Sequence, residues 1–219
     1  MTVISELKTK PIKAKRKGFA RRIGLDSDAS FEERRLMVLR TAAREFLKNG
    51  IAKTSIDVIA AQMDVTKPTI YHYGRSKDEL VRECLRYGSQ QLAVTLEKLA
   101  AEKMNGLERL KRFFRIYTDG MSDDFCRLIV TINPRALSPE GKSEYGRARR
   151  NFIELVKGFI AEGVVDGSVR APDVTMAALT LIGAFNFIPQ WHRDGGQYTP
   201  EQVFTGMMDV FLGGLDARR

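Results

Sequence analysis

Apolar residues recur every three or four positions from Phe31 onward, which is the spacing of amphipathic helices. The first stripe consists of Leu36, Leu39, Ala43 and Phe46, and Asn49-Gly50 ends it, because glycine adopts the left-handed turn that closes a helix. No segment alternates apolar and polar residues as a strand does. The pattern predicts an all-α chain of about nine helices, of which the later ones span about 107–119, 123–133, 143–162, 173–191 and 200–215.

Two short helices with a tight turn between them are predicted within residues 54–73. Thr54 and Asp57 have the spacing of a capping box at the start of the first helix, and Met63-Asp64-Val65 forms the turn. Thr66 caps the second helix, with Pro68 in its first turn, where the missing N–H costs nothing. A further capping box, Ser76 to Glu79, starts a long helix that runs toward Met104. This arrangement is typical of a helix-turn-helix unit.

The second short helix carries hydroxyls, aromatic rings and one cation, and only Ile70 and the preceding Val65 are available to anchor its inner side. Such a helix is a poor core element, but it suits a surface that meets phosphates and base edges in a major groove. Its polar and aromatic residues are Thr66, Lys67, Thr69, Tyr71, His72 and Tyr73.

Positive charge is concentrated at the start of the chain, whose formal net charge is +9. The first thirty residues carry eight Lys/Arg and three Asp/Glu. The asymmetry predicts a polyanionic partner for this end of the chain. Charge alone leaves nucleic acid, a membrane surface or simple solubility as alternatives.

Several classes of protein are not indicated. The apolar stretch 176–188 is interrupted and shorter than the roughly 18 residues of a membrane span, and no signal-peptide core precedes it, so we expect a cytoplasmic protein without membrane attachment. Cys84 and Cys126 lie in apolar helical patterns, and with two histidines they supply neither a disulfide framework nor a metal site. Common catalytic motifs are absent, so we expect neither an enzyme nor a cofactor.

The segment TSIDVIAAQMDVTKPTIYHYGRSKDELV, within residues 31–81, resembles the DNA-binding domain of the TetR family of bacterial transcription regulators. The charge distribution predicts a flexible basic arm over 1–30, and the resemblance implies a helix-turn-helix domain over 31–80 and a ligand-binding and dimerisation domain over 81–219. It implies a homodimer that binds a palindromic DNA operator, most simply as a repressor that a ligand releases. An activator, or a DNA-binding protein without sequence preference, remains an alternative.

Carried over by position, the resemblance places Thr54 and Ser55 on phosphates, Lys67, Pro68 and Thr69 on base edges, and Tyr71, His72 and Lys77 on the DNA backbone. Thr66 and Tyr73 belong to the same surface. Two positions depart from the family pattern. Asp64 stands where the family generally has glycine, which the tolerance of Asp for left-handed geometry should permit. Gly74 replaces an aromatic residue, and we expect Tyr73 to fill its space.

The segment LIGAFNFIPQWHRDGGQYTPEQVFTGMMDVFLGGL resembles the end of a TetR subgroup that controls fatty-acid and steroid catabolism and often responds to acyl-CoA thioesters. This resemblance implies a small hydrophobic or acyl-CoA effector. An all-α enzyme acting on acyl-CoA is a further alternative. The candidate ligand-binding residues are Phe113, Phe114, Tyr117, Met121, Arg149, Phe152, Phe185, Trp191 and Arg193, although each aromatic residue could equally be ordinary core and each arginine part of a solvated face.

The last predicted helix has a wide apolar stripe, which suggests an interface. Family members pair their last two helices across a two-fold axis, so the resemblance implies that this chain forms a homodimer through them. The stripe consists of Val203, Met207, Phe211 and Leu215.

Overall fold

The computed structural model describes residues 31–170, 173–193 and 195–215, and the basic arm over 1–30 lies outside this part of the chain. The all-α prediction is confirmed, because the described residues form helices and no strand. Ten α-helices and a 3₁₀ turn at Pro134–Ala136 are described. The α-helices are α1 (Phe31–Asn49), α2 (Ile56–Gln62), α3 (Lys67–Tyr71), α4 (Lys77–Ala100), α5 (Gly106–Gly120), α6 (Asp124–Thr131), α7 (Pro139–Asp166), α8 (Val174–Asn186), α9 (Ile188–Trp191) and α10 (Pro200–Gly213).

Several helix boundaries differ from the sequence-based prediction, and two of the differences involve a proline. Helix α7 begins at Pro139, not near residue 143, because Ser138 accepts a hydrogen bond from Gly141 N and the proline occupies the first turn. The predicted helix over 173–191 is divided into α8 and α9 at Phe187. Pro189 explains this break, since it cannot donate to the carbonyl one turn earlier.

The buried apolar side chains form two clusters. The head cluster joins α1, α2 and α3 to the first half of α4 and to α6, and includes Leu39, Ile59, Ile70, Leu80 and Phe125. The body cluster joins α5, α7, α8 and α10 and includes Phe113, Phe114, Ile160, Leu181 and Phe185. Helix α4 contributes to both clusters and therefore connects them along the chain.

Ion pairs reinforce the packing of α1 against α6. Arg40 Nη1 lies 2.9 Å from Asp123 Oδ2, and Arg44 Nε lies 2.7 Å from Asp124 Oδ2. Asp123 also caps α6 by accepting hydrogen bonds from Phe125 N and Cys126 N. The acidic pair therefore has the structural role expected at a helix start.

Helices α5 and α7 cross with almost no space between their backbones. A methyl group at Gly106 would overlap the backbone of Gly163 and would lie 2.8 Å from the carbonyl carbon of Glu162. Gly106 N donates to Asp166 Oδ2 at 2.6 Å, and Leu107 N donates to Ser168 Oγ at 3.1 Å. Glycine at position 106 is what permits this approach.

The window Val174–Trp191 reaches the length and mean hydropathy, 1.2, of a candidate membrane span, contrary to the expectation that this apolar stretch is too short. The criterion counts length and composition only, and core helices of globular proteins also meet it. Here the window covers α8 and α9 with the break at Phe187, and Ala178, Leu181, Ile182, Phe185 and Ile188 are buried in the body cluster.

Candidate nucleic-acid interface and apolar cavity

The turn between α2 and α3 depends on one residue in the left-handed region. Asp64 has a φ of +50°, and Val65 N donates to Ala60 O at 3.0 Å to close the turn. Because Asp is among the few non-glycine residues that adopt this geometry readily, the prediction that Asp64 can replace the family glycine is confirmed.

Helix α3 is anchored by a single buried side chain, Ile70, with Val65 half-buried beside it. The rest of the helix faces outward, as its composition predicted. The exposed candidates for DNA contact are Ser55, Thr66, Lys67, Pro68, Tyr71 and His72, and Thr69 is half-exposed. These side chains provide hydroxyls, a cation and rings on one surface, which are the groups that contact phosphates and base edges.

The one lysine of α3 is paired within the chain. Lys67 Nζ donates to Asp57 Oδ2 on α2 at 2.9 Å, and this hydrogen bond raises the pKa of Lys67.

The predicted capping box between Thr54 and Asp57 is wrong. Helix α2 is capped by Ser55, whose hydroxyl accepts from Val58 N at 3.3 Å, while the Asp57 carboxylate faces Lys67.

Thr54 is buried, and its hydroxyl lies 3.1 Å from Glu45 O and 2.9 Å from Gly50 O. Its backbone N–H also donates to Gly50 O. Both groups therefore fix the connection between α1 and α2, and the hydroxyl is not available to a phosphate. The signal that separates Thr54 from the exposed Ser55 is tertiary, since the two residues are adjacent.

Lys77 and Tyr73 also have internal partners. Lys77 Nζ donates to Ile51 O at 2.9 Å, which ties the start of α4 to the loop before α2. The half-buried Tyr73 stacks on Phe31 with ring centroids 5.2 Å apart. These two contacts attach the segment that follows α3 to the loop before α2 and to the start of α1.

Leu80 of α4 lies directly against Gly74. A methyl group at Gly74 would overlap Leu80 Cδ2 and lie 2.9 Å from Leu80 Cγ, and Leu80 is fully buried. Tyr73 stacks on Phe31 and packs against the head cluster, and its filling of the space of the missing ring stays a prediction.

A cavity of about 660 Å³ lies between the head and body clusters. Its walls come from α4, α5, α6, α7 and α8, and most of its lining is apolar, including Leu85, Phe113, Ile129, Phe152 and Ile182. Cavities of this size and character commonly hold small hydrophobic ligands. Helix α4 forms one wall, so an occupant of the cavity would contact the helix that continues into the head cluster.

Arginines are concentrated in the cavity lining. Arg82 and Arg86 come from α4, and Arg147 and Arg149 come from α7. Glu144 is the acidic residue among the lining residues, and the hydrogen bond from Arg82 lowers its pKa, with the charges of Arg82, Arg86 and Arg147 acting in the same direction. Arg147 and Arg149 are exposed, so the arginines mark a side of the cavity that is open to solvent.

Another part of the cavity carries two neutral polar groups. Tyr117 Oη donates to Asn186 Oδ1 at 2.5 Å, and burial raises the pKa of Tyr117. Cys126 also lines this cavity, and burial raises the pKa of its thiol to about 11. The thiol is therefore protonated at neutral pH and is not an activated nucleophile.

Four of the predicted ligand-binding residues line the cavity, namely Phe113, Tyr117, Arg149 and Phe152. Phe114, Met121 and Phe185 are buried in the body cluster instead. Trp191 is 41% exposed, and its ring contacts the ring of His192 edge-on. Arg193 donates a hydrogen bond to the carbonyl oxygen of His192 at 3.0 Å. These five residues do not line the cavity.

Sequence reasoning missed most of the α4 lining. Arg82, Arg86, Gln91, Leu92 and Thr95 line the cavity, although they were assigned only to a long helix after the DNA-binding segment. The spacing of Arg82 and Arg86, four residues apart on one helix face, was an available signal. Asn186 lies within an apolar run of the sequence, and it accepts a hydrogen bond from Tyr117, which is 69 positions away. No local pattern could therefore have identified it.

Apolar side chains remain exposed on the last helices. Met176 and Phe187 are each 61% exposed, and Val210 is 52% exposed. The predicted α10 stripe is only partly outward, because Val203 is buried and Met207 and Phe211 are half-buried against the body cluster. The apolar side chains of α10 therefore pack partly against the body cluster and partly remain exposed to solvent.

In residues 31–170, 173–193 and 195–215, no group of three or more His, Cys, Asp or Glu side chains is arranged to hold a metal ion.

Family models match most of the helical chain. The model for "Bacterial regulatory proteins, tetR family" matches residues 38–84, which include α2 and α3. The model for "Tetracyclin repressor-like, C-terminal domain" matches residues 103–215, which include the body helices.

Full-length relatives agree with these matches. The transcriptional repressor KstR2 of Rhodococcus jostii is 25% identical over 205 residues, covering 87% of this chain and 95% of that protein. KstR2 of Mycolicibacterium smegmatis is 23% identical over 193 residues, covering 87% of this chain and 94% of that protein. A crystal structure of AibR in complex with isovaleryl coenzyme A and operator DNA has a TM-score of 0.75 and 23% identity, covering 82% of this chain and 98% of AibR. With its helix-turn-helix surface and its helical body both matched, this chain belongs to the TetR family of bacterial regulatory proteins.

Proposed function

We propose that this chain is a homodimeric transcriptional repressor that leaves its operator when an acyl-CoA thioester enters the cavity between α4 and α8. The observation that carries the proposal is the combination of an outward polar helix, α3, with an apolar cavity whose open side carries four arginines. In this proposal residues 31–80 contact DNA, and residues 81–219 bind the effector and form the dimer.

The DNA contact is assigned to the exposed side chains around α3. Lys67, Pro68 and Thr69 meet base edges in the major groove, while Ser55, Tyr71 and His72 meet the phosphate backbone. Lys67 must exchange its Asp57 partner for a DNA acceptor, and this exchange costs little because both side chains are exposed. Lys77 and Thr54 hold the helix-turn-helix unit in shape.

The effector class follows from the two kinds of lining. An apolar interior bounded by Phe113 and Phe152 suits an acyl group, and guanidinium groups bind phosphates through paired hydrogen bonds. AibR, which shares the fold, is described in complex with isovaleryl coenzyme A. A coenzyme A thioester combines both chemistries in one molecule.

Dimerisation is assigned to the outward faces of α8 and α10. Met176 on α8, Phe187 directly after α8 and Val210 on α10 expose apolar area that a second copy would bury. A two-fold dimer presents two α3 helices to successive major grooves, which matches a palindromic operator.

The test is fluorescence anisotropy of the purified chain on the duplex upstream of its own gene, with a scrambled duplex as control. We expect a preference of about a thousandfold or more for one duplex after site selection, and dissociation on adding one member of a series of acyl-CoAs. Equal affinity for all selected and scrambled duplexes would instead support a DNA-binding protein without sequence preference. Thioester hydrolysis by the chain would support the enzyme alternative.

A further inference from the structure

An ion-pair network begins at the open side of the cavity. Arg82 makes two contacts with Glu144, Nη2 to Oε1 at 2.5 Å and Nε to Oε2 at 3.3 Å, and Arg86 Nη2 lies 3.6 Å from the same carboxylate. Glu144 is on α7 and both arginines are on α4. This carboxylate therefore links the two helices across the cavity opening.

The network continues from α4 to α1. Arg86 also pairs with Glu83, and Glu83 pairs with Arg35 on α1. Glu83 is only 16% exposed in its side chain, whereas Arg86 is 45% exposed, so the carboxylate is better shielded from solvent than the guanidinium group that it holds. Arg35 lies one turn after Phe31, whose ring stacks on Tyr73 at the end of the α3 segment. Ion pairs thus join the cavity opening to α1, and α1 in turn contacts the end of the α3 segment through Phe31 and Tyr73.

The other two arginines of the cavity lining differ from Arg82 and Arg86 in their contacts. Arg147 and Arg149 make no hydrogen bond or ion pair with any residue in the described ranges, although both line the cavity. The cavity lining thus contains four guanidinium groups and one carboxylate, Glu144. Arg82 and Arg86 pair with Glu144, and the other two arginines have no such partner in the part of the chain that the structure describes. This excess of positive charge matches a ligand head with several phosphate charges better than a simple fatty acid with one carboxylate.

We propose that Glu144 acts as an internal substitute for the effector's phosphates, holding Arg82 and Arg86 until phosphates that enter between Arg147 and Arg149 take its place. This inference rests on the proposed function and adds the anion site and the event that couples it to DNA. Loss of the Glu144 contacts frees α4 from α7, and the Glu83 link carries the change to Arg35 and the head cluster.

The experiment compares Glu144→Gln with Glu154→Gln by isothermal titration with coenzyme A, which has the phosphate head and no acyl group. Glu154 is a matched control, because it lies on the same helix, pairs with Lys157 at 2.9 Å and does not line the cavity. We expect Glu144→Gln to bind coenzyme A about threefold to fivefold more tightly than the wild type, which is the effect of removing a partly exposed ion pair. Glu154→Gln should bind as the wild type does, and Arg147→Gln should bind at least about tenfold more weakly.

Operator binding gives a second reading of the same variants. Glu144→Gln without effector should have a weaker operator affinity than Glu154→Gln, because the link between α4 and α7 has lost its ionic part. Glu83→Gln should reduce the ratio of operator affinities measured without and with acyl-CoA. Circular dichroism melting checks that each variant is folded.

The outcomes separate the two proposals. If wild-type chain stays on its operator with every acyl-CoA, the proposed effector is wrong. If acyl-CoA releases the operator but Glu144→Gln binds coenzyme A no more tightly than the wild type, the role assigned to Glu144 is wrong and the proposed function stands. Absence of measurable coenzyme A binding to both Glu144→Gln and wild type would overturn the phosphate site.

Discussion

Replacement of glycine by alanine should have opposite effects on the stability of the protein at Gly106, where α5 begins, and at Gly158, within α7. At Gly106 a methyl group would overlap backbone atoms of Gly163 and lie 2.8 Å from the carbonyl carbon of Glu162. Backbone cannot rotate away as a flexible side chain can, so α5 and α7 must separate. At Gly158, which is exposed on α7, a methyl group meets nothing within 4 Å.

The magnitudes follow from these surroundings. Overpacking costs about 1–3 kcal/mol and occasionally more, and separation of the helices also weakens the 2.6 Å hydrogen bond from Gly106 N to Asp166. We therefore expect Gly106→Ala to lower the free energy of unfolding by about 3 kcal/mol, or the melting temperature by about 6–12 °C at this chain length. Gly158→Ala should raise stability by about 0.5–1 kcal/mol, the usual gain in a helix interior.

Urea unfolding followed by the fluorescence of Trp191, the one tryptophan of the chain, measures both variants at a fixed protein concentration. Trp191 lies on α9, so it reports on the body helices. Equal stabilities of Gly106→Ala and the wild type would refute the close crossing of α5 and α7. A loss of stability in Gly158→Ala would show that the face of α7 around it is covered in the assembled protein.

Three other predictions concern the DNA-binding end of the chain. Because Asp64 has a φ of +50°, Asp64→Gly should leave the melting temperature nearly unchanged, while Asp64→Val should cost about 1–2 kcal/mol; similar effects of both would contradict a left-handed turn. Thr54→Val should lower the free energy of unfolding in urea by about 1–3 kcal/mol by removing a buried hydrogen-bond donor, and a neutral result would mean that the hydroxyl is not needed to join α1 to α2. Deletion of residues 1–30 should flatten the plot of log affinity for operator against log salt, because fewer counterions are released; an unchanged slope in anisotropy titrations would exclude the arm from DNA contact.

The helix-turn-helix unit could be predicted because its signals are local. The turn at Asp64 and the cap at Ser76 act within a few positions of their partners, and Ile70 could be identified as the anchor because it is the apolar residue in the middle of a polar helix. What local reasoning could not separate was Thr54 from Ser55. Both are hydroxyl residues before a helix, and only the position of the carbonyls of Glu45 and Gly50 decides which one is buried.

The cavity was harder to predict because its lining is assembled from five helices. An aromatic residue at helical spacing has the same pattern whether it faces a cavity or the core, so Phe113 and Phe114 could not be assigned differently from the sequence. They differ by about 100° around α5, and only Phe113 lines the cavity.

The sequence by itself determined the all-α class, the approximate positions of the helices, the cap at Ser76, the turn between α2 and α3 and the family, because each depends on the period of the chain or on neighbours within one or two turns. Only the tertiary structure decided that Glu144 meets Arg82 across 62 positions and that Gly106 meets Gly163. Such contacts depend on where and at what angle helices cross, and that geometry is set by the packing of all their faces together. The groups proposed to bind the effector and to transmit its binding are of this second kind.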